Sequence, residues 1–364
     1  MKTVRPFFQT DRFLLISSHW VLYGTVLFIY TVSPYYRSLL SVTVPFTRFS
    51  PQELLFGMLC CFTCFLLIVR IPDGSFQKSR VYLTFQALTK ISRAMFSGRL
   101  DTALTPVEKT SVLLLLVKFL FVPIMFRFLI QNFSGATSSF RIIFSSPQAL
   151  SPDILISAVY PLILSILLLV DTAYFFTDYL IESRTLGNEI RSVDTTALGW
   201  LSALACYPPF NEVTRTFFGW HSADFSDFGS IGLNLFFGGL SLVCMSLYAW
   251  ATLSLGWKAS NLTNRGIVSR WAYAFVRHPA YISKNLAWWI MGVPFILAAF
   301  SQNLASHQSI FSATIASLIP VISLMAWSGI YYIRALTEER HLSLDPEYRE
   351  YMRKVKYRFL PGIL

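Results

Sequence analysis

Long apolar runs alternate with short polar connections along this chain of 364 residues. Most of the runs are about 18 to 22 residues long, the length of an α-helix that crosses the hydrocarbon core of a bilayer. The pattern therefore predicts an all-α integral membrane protein with about eight transmembrane helices. The predicted spans are 13–33, 53–70, 110–130, 153–177, 195–210, 229–254, 283–303 and 309–333.

The fifth run is the shortest, because its apolar core from Ala197 to Cys206 ends at Pro208 and Pro209. Proline has no backbone N–H and interrupts a helix. The run is therefore either a full crossing or a re-entrant segment. Only a full crossing gives the even number of spans that places both chain ends on one side of the membrane.

Basic residues are unevenly distributed among the connections. The connection 71–109 carries six Lys and Arg residues, among them Lys78 and Arg99, whereas 131–152 carries only Arg141 and the loop near His307 has none. Basic residues are enriched in cytoplasmic loops. We therefore expect both chain ends to be cytoplasmic, in a multi-pass protein of the bacterial inner membrane or the endoplasmic reticulum.

Two further helices are predicted on the cytoplasmic surface. Apolar residues recur at helical spacing over 81–96, opposite Lys90 and Arg93, which predicts an interfacial amphipathic helix. Near the C-terminus, Asp345 followed by Pro346 is a typical helix start, and an amphipathic helix is predicted from there to about Phe359.

Composition agrees with a membrane location. Hydrophobic residues make up 54% of the chain and charged residues 13%, about half the charged fraction of a soluble domain. The net charge of +11 is attributed to cytoplasmic loops facing anionic lipid, and nucleic acid is not expected as a partner. The pair Cys61 and Cys64 has no second pair or nearby His, so no metal site is predicted.

Ionisable residues within so apolar a chain mark candidate sites, because burying a charge in hydrocarbon is costly. Asp171, Asp178 and Glu182 follow one another at spacings of seven and four, which places them on one helix face. A structural role or a solvated helix end is the favoured interpretation of this face. A substrate-binding or proton-relay role is the alternative.

A second cluster lies in the C-terminal third. Arg277 and His278 directly precede the seventh predicted span, and Glu338 and Glu339 directly follow the eighth. Two consecutive spans joined by a short loop are antiparallel, so both pairs return to the same membrane surface. A pocket with cations on one side and carboxylates on the other suits a ligand that carries both charges, such as S-adenosylmethionine.

The C-terminal third resembles a known family. Three sequence features carry the resemblance: Asn261–Val268 followed by Tyr273–Tyr281 with its Arg-His-Pro-Ala-Tyr motif, then Glu338–Leu342, then Tyr348, Tyr351 and Val355. The order resembles the isoprenylcysteine carboxyl methyltransferases and their prokaryotic relatives, over residues 255–364. The chain departs from the family pattern at Ser283, where glycine is frequent, and at Asp345-Pro346, which replaces Phe-Gly.

The resemblance implies an S-adenosylmethionine site at the membrane surface. Carried over residue by residue, it implies cofactor binding by His278, Pro279, Tyr281, Glu338 and Glu339. It also implies that Arg277 orients the carboxylate of the substrate or of the cofactor. An amine acceptor needs a general base, and Glu338 and Glu339 are the candidates for that role. The expected acceptor is a lipidic or lipid-modified molecule with a carboxyl, phosphate or amine group, selected by the six predicted spans of residues 1–254.

Two other functions are weighed against this one. The ending Val355–Gly362 also resembles the tails of membrane sterol reductases, which makes an NADPH-dependent double-bond reductase the first alternative. The second alternative is a non-catalytic or transport protein of the membrane. Lipids are the expected partners in each case, and the sequence makes no prediction of oligomeric state.

Overall fold

A computed structural model of the chain describes residues 5–70, 80–97, 104–146, 151–183, 185–306 and 309–362. It is 75% helical and divides into two compact units, Met1–Ile130 and Gln131–Leu364. The loop at His307 and the basic residues Lys78 and Arg99, which entered the orientation argument, lie outside the described residues.

In the first unit, the described residues form four helices and the first part of a fifth. They are α1 (Arg5–Val32), α2 (Pro34–Leu39), α3 (Pro51–Arg70), α4 (Arg80–Phe96) and α5 (Pro106–Ser145). The start of α5 is a capping box in which Thr105 Oγ1 accepts from the N–H of Glu108, and Glu108 accepts from the N–H of Thr105. Glu108 also pairs with Lys90 of α4. The helix α4 matches the predicted interfacial helix 81–96.

The second unit contains the C-terminal helices that carry the candidate site. Its elements are α6 (Pro152–Ile154), a π-helical turn (Leu155–Val159), α7 (Tyr160–Leu180), β1 (Ser192–Val193), α8 (Ala197–Leu204), α9 (Phe210–Phe218), α10 (Ile231–Leu255), a 3₁₀ turn (Gly256–Lys258), β2 (Thr263–Asn264), a second 3₁₀ turn (Trp271–Ala274), α11 (Pro279–Ala305), α12 (Ile310–Leu342) and α13 (Pro346–Lys354). The two strands pair antiparallel, with Ser192 opposite Asn264. Helices α10, α11 and α12 pack in succession, α7 packs on α10, and α8 packs on α12.

Five of the described helical segments are long and apolar enough to cross a membrane: Pro106–Ser145, Pro152–Leu180, Ile231–Lys258, Pro279–Ala305 and Ile310–Leu342. They coincide with the third, fourth, sixth, seventh and eighth predicted spans, and they indicate a multi-pass all-α membrane protein. Helices α1 and α3 lie at the first and second predicted spans. That these two cross, and that both chain ends are cytoplasmic, stay predictions.

The fifth predicted span, 195–210, is not one continuous helix. Helix α8 has eight residues, which is about 12 Å of length and too short to cross a bilayer. It ends before Pro208 and Pro209, and α9 begins at Phe210. The segment that contains α8 and α9 packs alongside α12. Ser202 is hydrogen-bonded to Thr337 at 3.1 Å, and Gly219 O accepts from Trp327 Nε1 at 2.8 Å. Irregular backbone at membrane depth is tolerated when it is buried against protein in this way.

The C-terminal helix begins where the sequence indicates and ends earlier. Asp345 caps it by accepting from the N–H of Glu347 at 3.0 Å. The helix ends at Lys354 and not near Phe359, because the carbonyl groups of Tyr357 and Arg358 accept hydrogen bonds from the backbone N–H groups of Arg277 and His278. Pairing with the Arg-His-Pro turn thus replaces the last helical turn.

Candidate functional site

The Arg-His-Pro turn is fixed from two directions. Pro279 occupies the first helical position of α11, where its missing N–H costs nothing and its fixed φ suits a helix start. On the other side, the N–H groups of Arg277 and His278 donate to Tyr357 O at 3.0 Å and to Arg358 O at 2.9 Å. The side chains of both residues are therefore presented from a rigid backbone.

Glu339 is surrounded by basic side chains. His278 Nε2 lies 3.1 Å from its Oε1, and Arg358 donates to both carboxylate oxygens, from Nε at 3.0 Å and from Nη2 at 2.7 Å. Arg277 Nε lies 2.9 Å from Oε1 as an ion pair, without hydrogen-bond geometry. The hydrogen bonds to Glu339 raise the pKa of Arg358 above its ordinary value. Arg277 and Glu339 thus engage each other, and neither faces an open space.

Glu338 has a different environment although it is the next residue. Tyr281 donates to its Oε2 at 2.6 Å, and His278 Nδ1 lies 3.8 Å from the same oxygen. The His278 and Tyr281 rings stack with centroids 5.2 Å apart. The Glu338 side chain is 40% exposed, against 8% for Glu339. Glu338 is therefore the member of the pair that a ligand can reach.

A pocket opens beside Glu338, between α8, α12, the first turn of α11 and the segment before β2. It is lined by Asp194, Gly199, Ala203, Ser260, Asn261, Leu262, Thr263, Tyr281, Arg334, Thr337, Glu338, His341 and Leu342. The pocket volume is about 30 Å³, well below the roughly 300–1,000 Å³ of pockets that hold a drug-sized ligand. A nucleoside-sized ligand therefore extends beyond this space, past the exposed Glu338 side chain.

Arg334 is the cation of this pocket. It is 7% exposed, donates to Asn261 Oδ1, and lies over the rings of Tyr207, Tyr281 and Tyr331 at 5.6, 5.1 and 5.5 Å. Among the described residues, no carboxylate lies within 4 Å of it, because Glu338 one turn away bonds to Tyr281 instead. A buried guanidinium without a counter-ion is a strong candidate for binding an anionic group.

Asp194 supplies a second carboxylate to the pocket, and the sequence analysis did not identify it. It is 3% exposed. Its Oδ1 accepts from the N–H and hydroxyl of Thr196 at 2.8 and 2.7 Å, and its Oδ2 lies 3.5 Å from Arg340 Nη2. A Cβ atom at Gly199 would lie 2.1 Å from Oδ2, so this position of the carboxylate requires glycine there. No sequence motif marks Asp194, because only the pairing of β1 with β2 brings the residues after β1 to the pocket.

The three acidic residues of the fourth span do not form one cluster. Asp171 accepts from Tyr248 OH at 2.9 Å and from Thr252 Oγ1 at 2.5 Å, whereas Asp178 accepts from the N–H of Ala259 at 2.8 Å. Glu182 lies beyond the end of α7 at Leu180, so the three do not share a helix face as predicted. Its Oε1 accepts from the N–H of Ile190 at 3.1 Å. Asp178 and Glu182 therefore fix the segments before β2 and before β1, which lead into the pocket wall.

Comparison with known proteins gives one match. Residues 224–355 match the model of a family described as "Protein of unknown function (DUF1295)", a group similar to membrane steroid reductases and methyltransferases. No curated protein and no solved structure matches the chain. The matched region contains Arg277, Arg334 and Glu339, whereas Asp194 and Arg358 lie outside it.

Proposed function

We propose that the chain is an S-adenosylmethionine-dependent methyltransferase that acts in the membrane on a lipidic or lipid-modified acceptor. One observation carries the proposal: the pocket has a buried, uncompensated cation, Arg334, and two carboxylates, Asp194 and Glu338. The amino-acid part of S-adenosylmethionine carries a carboxylate and an amine, which such a lining complements.

The proposal assigns the cofactor carboxylate to Arg334. Arg277, the residue expected from the sequence, is held by Glu339 and by the backbone of the tail. For Glu339 we propose a role in positioning His278 and the tail, because its oxygens accept from Arg358 and His278. Glu338 remains as the carboxylate that can contact the amine of the cofactor or an amine acceptor.

Methyl transfer from a sulfonium is an in-line displacement, in which the acceptor atom bonds to the methyl carbon as the carbon–sulfur bond breaks. The protein contributes mainly by positioning the two molecules and by excluding water, which is worth up to about 7–11 kcal/mol in favourable cases. Burial of Arg334 and Asp194 in the wall supplies fixed binding groups for this purpose.

An NADPH-dependent reductase is the second candidate. It is favoured by the resemblance of the ending Val355–Gly362 to the tails of membrane sterol reductases, and this ending pairs with the Arg-His-Pro turn. The carboxylates Asp194 and Glu338 beside the pocket argue against a polyphosphate ligand, because like charges repel.

Calorimetry on the detergent-purified full chain tests the proposal. We expect micromolar binding of S-adenosylmethionine and S-adenosylhomocysteine, a loss of at least tenfold in affinity for Arg334→Met, and no change for Arg349→Met, which removes an exposed guanidinium from α13. Binding of NADPH alone would assign the chain to the reductases. Binding of neither ligand would contradict both candidates and favour a non-catalytic protein.

A further inference from the structure

Lys284 is a cation inside a membrane-spanning helix. It lies in α11, and its Nζ is 5.2 Å from the centre of the Tyr248 ring and 5.5 Å from that of Trp288. Among the described residues, no carboxylate lies within 4 Å of this ammonium group, and the side chain is half-buried. An ionisable residue at membrane depth that lacks a direct counter-ion marks a functional site.

The direction of the side chain excludes simple extension towards the membrane surface. Helical side chains point towards the N-terminus of their helix, which for Lys284 is the end that carries the pocket. Lys284 lies five residues after Pro279, about 7.5 Å from the helix start. Its ammonium group lies 5.2 Å from the centre of the Tyr248 ring, and Tyr248 lies seven residues, about 10 Å, before the end of α10, so the charge is held below the pocket end.

The carboxylate that interacts with Lys284 is buried. Asp171 interacts electrostatically with Lys284 and lies nine residues before the end of α7, at about the same depth. It is 6% exposed, and its two oxygens accept from Tyr248 and Thr252. The charge accessible at this depth is therefore the positive one.

The surroundings of Lys284 continue the wall of the pocket. Tyr281, which lines the pocket, lies one turn away on the same face of α11. From Tyr281 the aromatic contacts run to Tyr331 at 5.3 Å, from Tyr331 to Trp288 at 5.1 Å, and from Trp288 to Trp220 at 4.9 Å. Trp288 and Trp220 are half-buried, so part of each ring is open to an apolar chain whose polar headgroup lies near Lys284.

We propose that Lys284 binds the acceptor of the methyl group, and that the acceptor is a lipid with an anionic oxygen headgroup, a phosphate monoester or a carboxylate. This inference rests on the proposed methyltransferase function and selects among its three acceptor classes. A cationic amine headgroup is repelled by Lys284 and by Arg334. Of the two pocket carboxylates, Asp194 accepts two hydrogen bonds from Thr196 and lies 3.5 Å from Arg340 Nη2, which leaves Glu338 as a base for such an amine.

An anionic oxygen needs no base. One of its lone pairs forms the new oxygen–carbon bond to the methyl group, and the electrons of the breaking carbon–sulfur bond return to sulfur. The anion and the sulfonium thereby become a methyl ester and a neutral thioether, and no proton is transferred. Lys284 contributes by holding the headgroup one turn of α11, about 5 Å, beyond Tyr281.

The test is direct binding of radiolabelled lipids to the purified full chain in phosphatidylcholine nanodiscs without cofactor. The probes are palmitoyl-oleoyl phosphatidate, oleate and stearylamine, which represent a phosphate, a carboxylate and an amine on similar chains. We expect saturable binding of phosphatidate, oleate or both, weakened at least tenfold in Lys284→Met and largely retained in Lys284→Arg. The control Lys356→Met, which removes an exposed charge of the tail, leaves binding unchanged.

Unequal binding of phosphatidate and oleate identifies the headgroup. Equal binding by wild type and Lys284→Met, preference for stearylamine, or no saturable binding of any anionic probe would overturn the proposal. Calorimetry with S-adenosylmethionine on the same samples separates the two hypotheses. Lys284→Met should bind the cofactor like wild type, whereas failure of the wild type to bind it would refute the methyltransferase function itself.

Discussion

Glu339 is nearly buried and is the counter-ion of two guanidinium groups, so removing its charge is expected to destabilise the fold. Glu339→Gln leaves Arg277 and Arg358 without their counter-ion, and breaking a buried ion pair by removing one partner costs about 3 kcal/mol or more. We therefore expect a fall in the thermal unfolding temperature of the detergent-purified protein without any ligand.

The neighbouring residue provides a matched control for this change. Glu338 is 40% exposed and accepts one hydrogen bond from a tyrosine, so Glu338→Gln is expected to leave the unfolding temperature nearly unchanged while weakening cofactor binding. Equal destabilisation by the two substitutions would show that Glu339 does not have the structural role assigned to it.

Gly199 determines the position of a pocket carboxylate. An added Cβ would lie 2.1 Å from Asp194 Oδ2, so Gly199→Ala must displace that oxygen. We expect a loss of about tenfold in S-adenosylmethionine affinity by calorimetry, comparable to that of Asp194→Asn, from a loss of about one charge-assisted hydrogen bond. Gly239→Ala is the control, because nothing lies within 4 Å of its added Cβ; a similar loss there would refute the explanation.

At the residue scale, the sequence predicted which ionisable groups gather but not which of them pair. Arg277, His278, Glu338 and Glu339 do lie together. The pairing of Arg358 with Glu339 required the tail to reach the Arg-His-Pro turn, and Arg334 was left without a carboxylate because Tyr281 bonds to Glu338. Which of these groups pair depends on distances between separate elements, and the spacing of residues along one helix does not predict them.

Among the elements, α13 depends on a charge network outside the membrane-spanning helices. Burial by itself would raise the pKa of Asp345, but hydrogen bonds from Asn264 and Arg191 outweigh it and hold this pKa below its ordinary value. A carboxyl group with a lowered folded-state pKa contributes stability that is fully present above its unfolded pKa, near 3.9, and is lost as the pH falls through the folded value.

We therefore expect the wild-type unfolding temperature to fall as the pH drops below about 4, partly through Asp345, because its unfolded pKa lies near 3.9 and its folded pKa lies lower. Asp345→Asn should lower the unfolding temperature at pH 7 and show a weaker decline over the acid range. Glu347→Gln, which changes a mostly exposed carboxylate nearby, should keep the wild-type decline. Parallel curves for wild type and Asp345→Asn would contradict this assignment.

The apolar runs predicted the long helices α5, α7, α10, α11 and α12, because a run of about 20 apolar residues has few alternatives to a helix. For 195–210 they left a full crossing and a re-entrant segment open because of Pro208 and Pro209, and the structure has two short helices there, α8 and α9. The sequence also did not predict that α13 ends at Lys354. The residues after it bond instead to the backbone N–H groups of Arg277 and His278, which lie far away in sequence.

For the whole molecule, the membrane side on which the C-terminus lies depends on whether the segment with α8 and α9 crosses the membrane. If α1 and α3 both cross and the α8–α9 segment passes along α12 to the opposite side, the two chain ends share the cytoplasmic side, where basic residues are enriched. We expect Lys356→Cys to react with a membrane-impermeant maleimide only from the cytoplasmic side, and Ser145→Cys only from the other, in a background with the five native cysteines replaced. Reaction of both positions from one side would refute this topology.

Transfer of a labelled methyl group is the most direct test of the central claim. Protein in membranes from its own host is incubated with S-adenosylmethionine carrying a tritiated methyl group, and the organic phase is counted. We predict label in an extractable lipid fraction for wild type and for Arg349→Met, and none above background for Arg334→Met. Absence of label with wild type, or transfer of tritium from labelled NADPH in its place, would contradict the methyltransferase account.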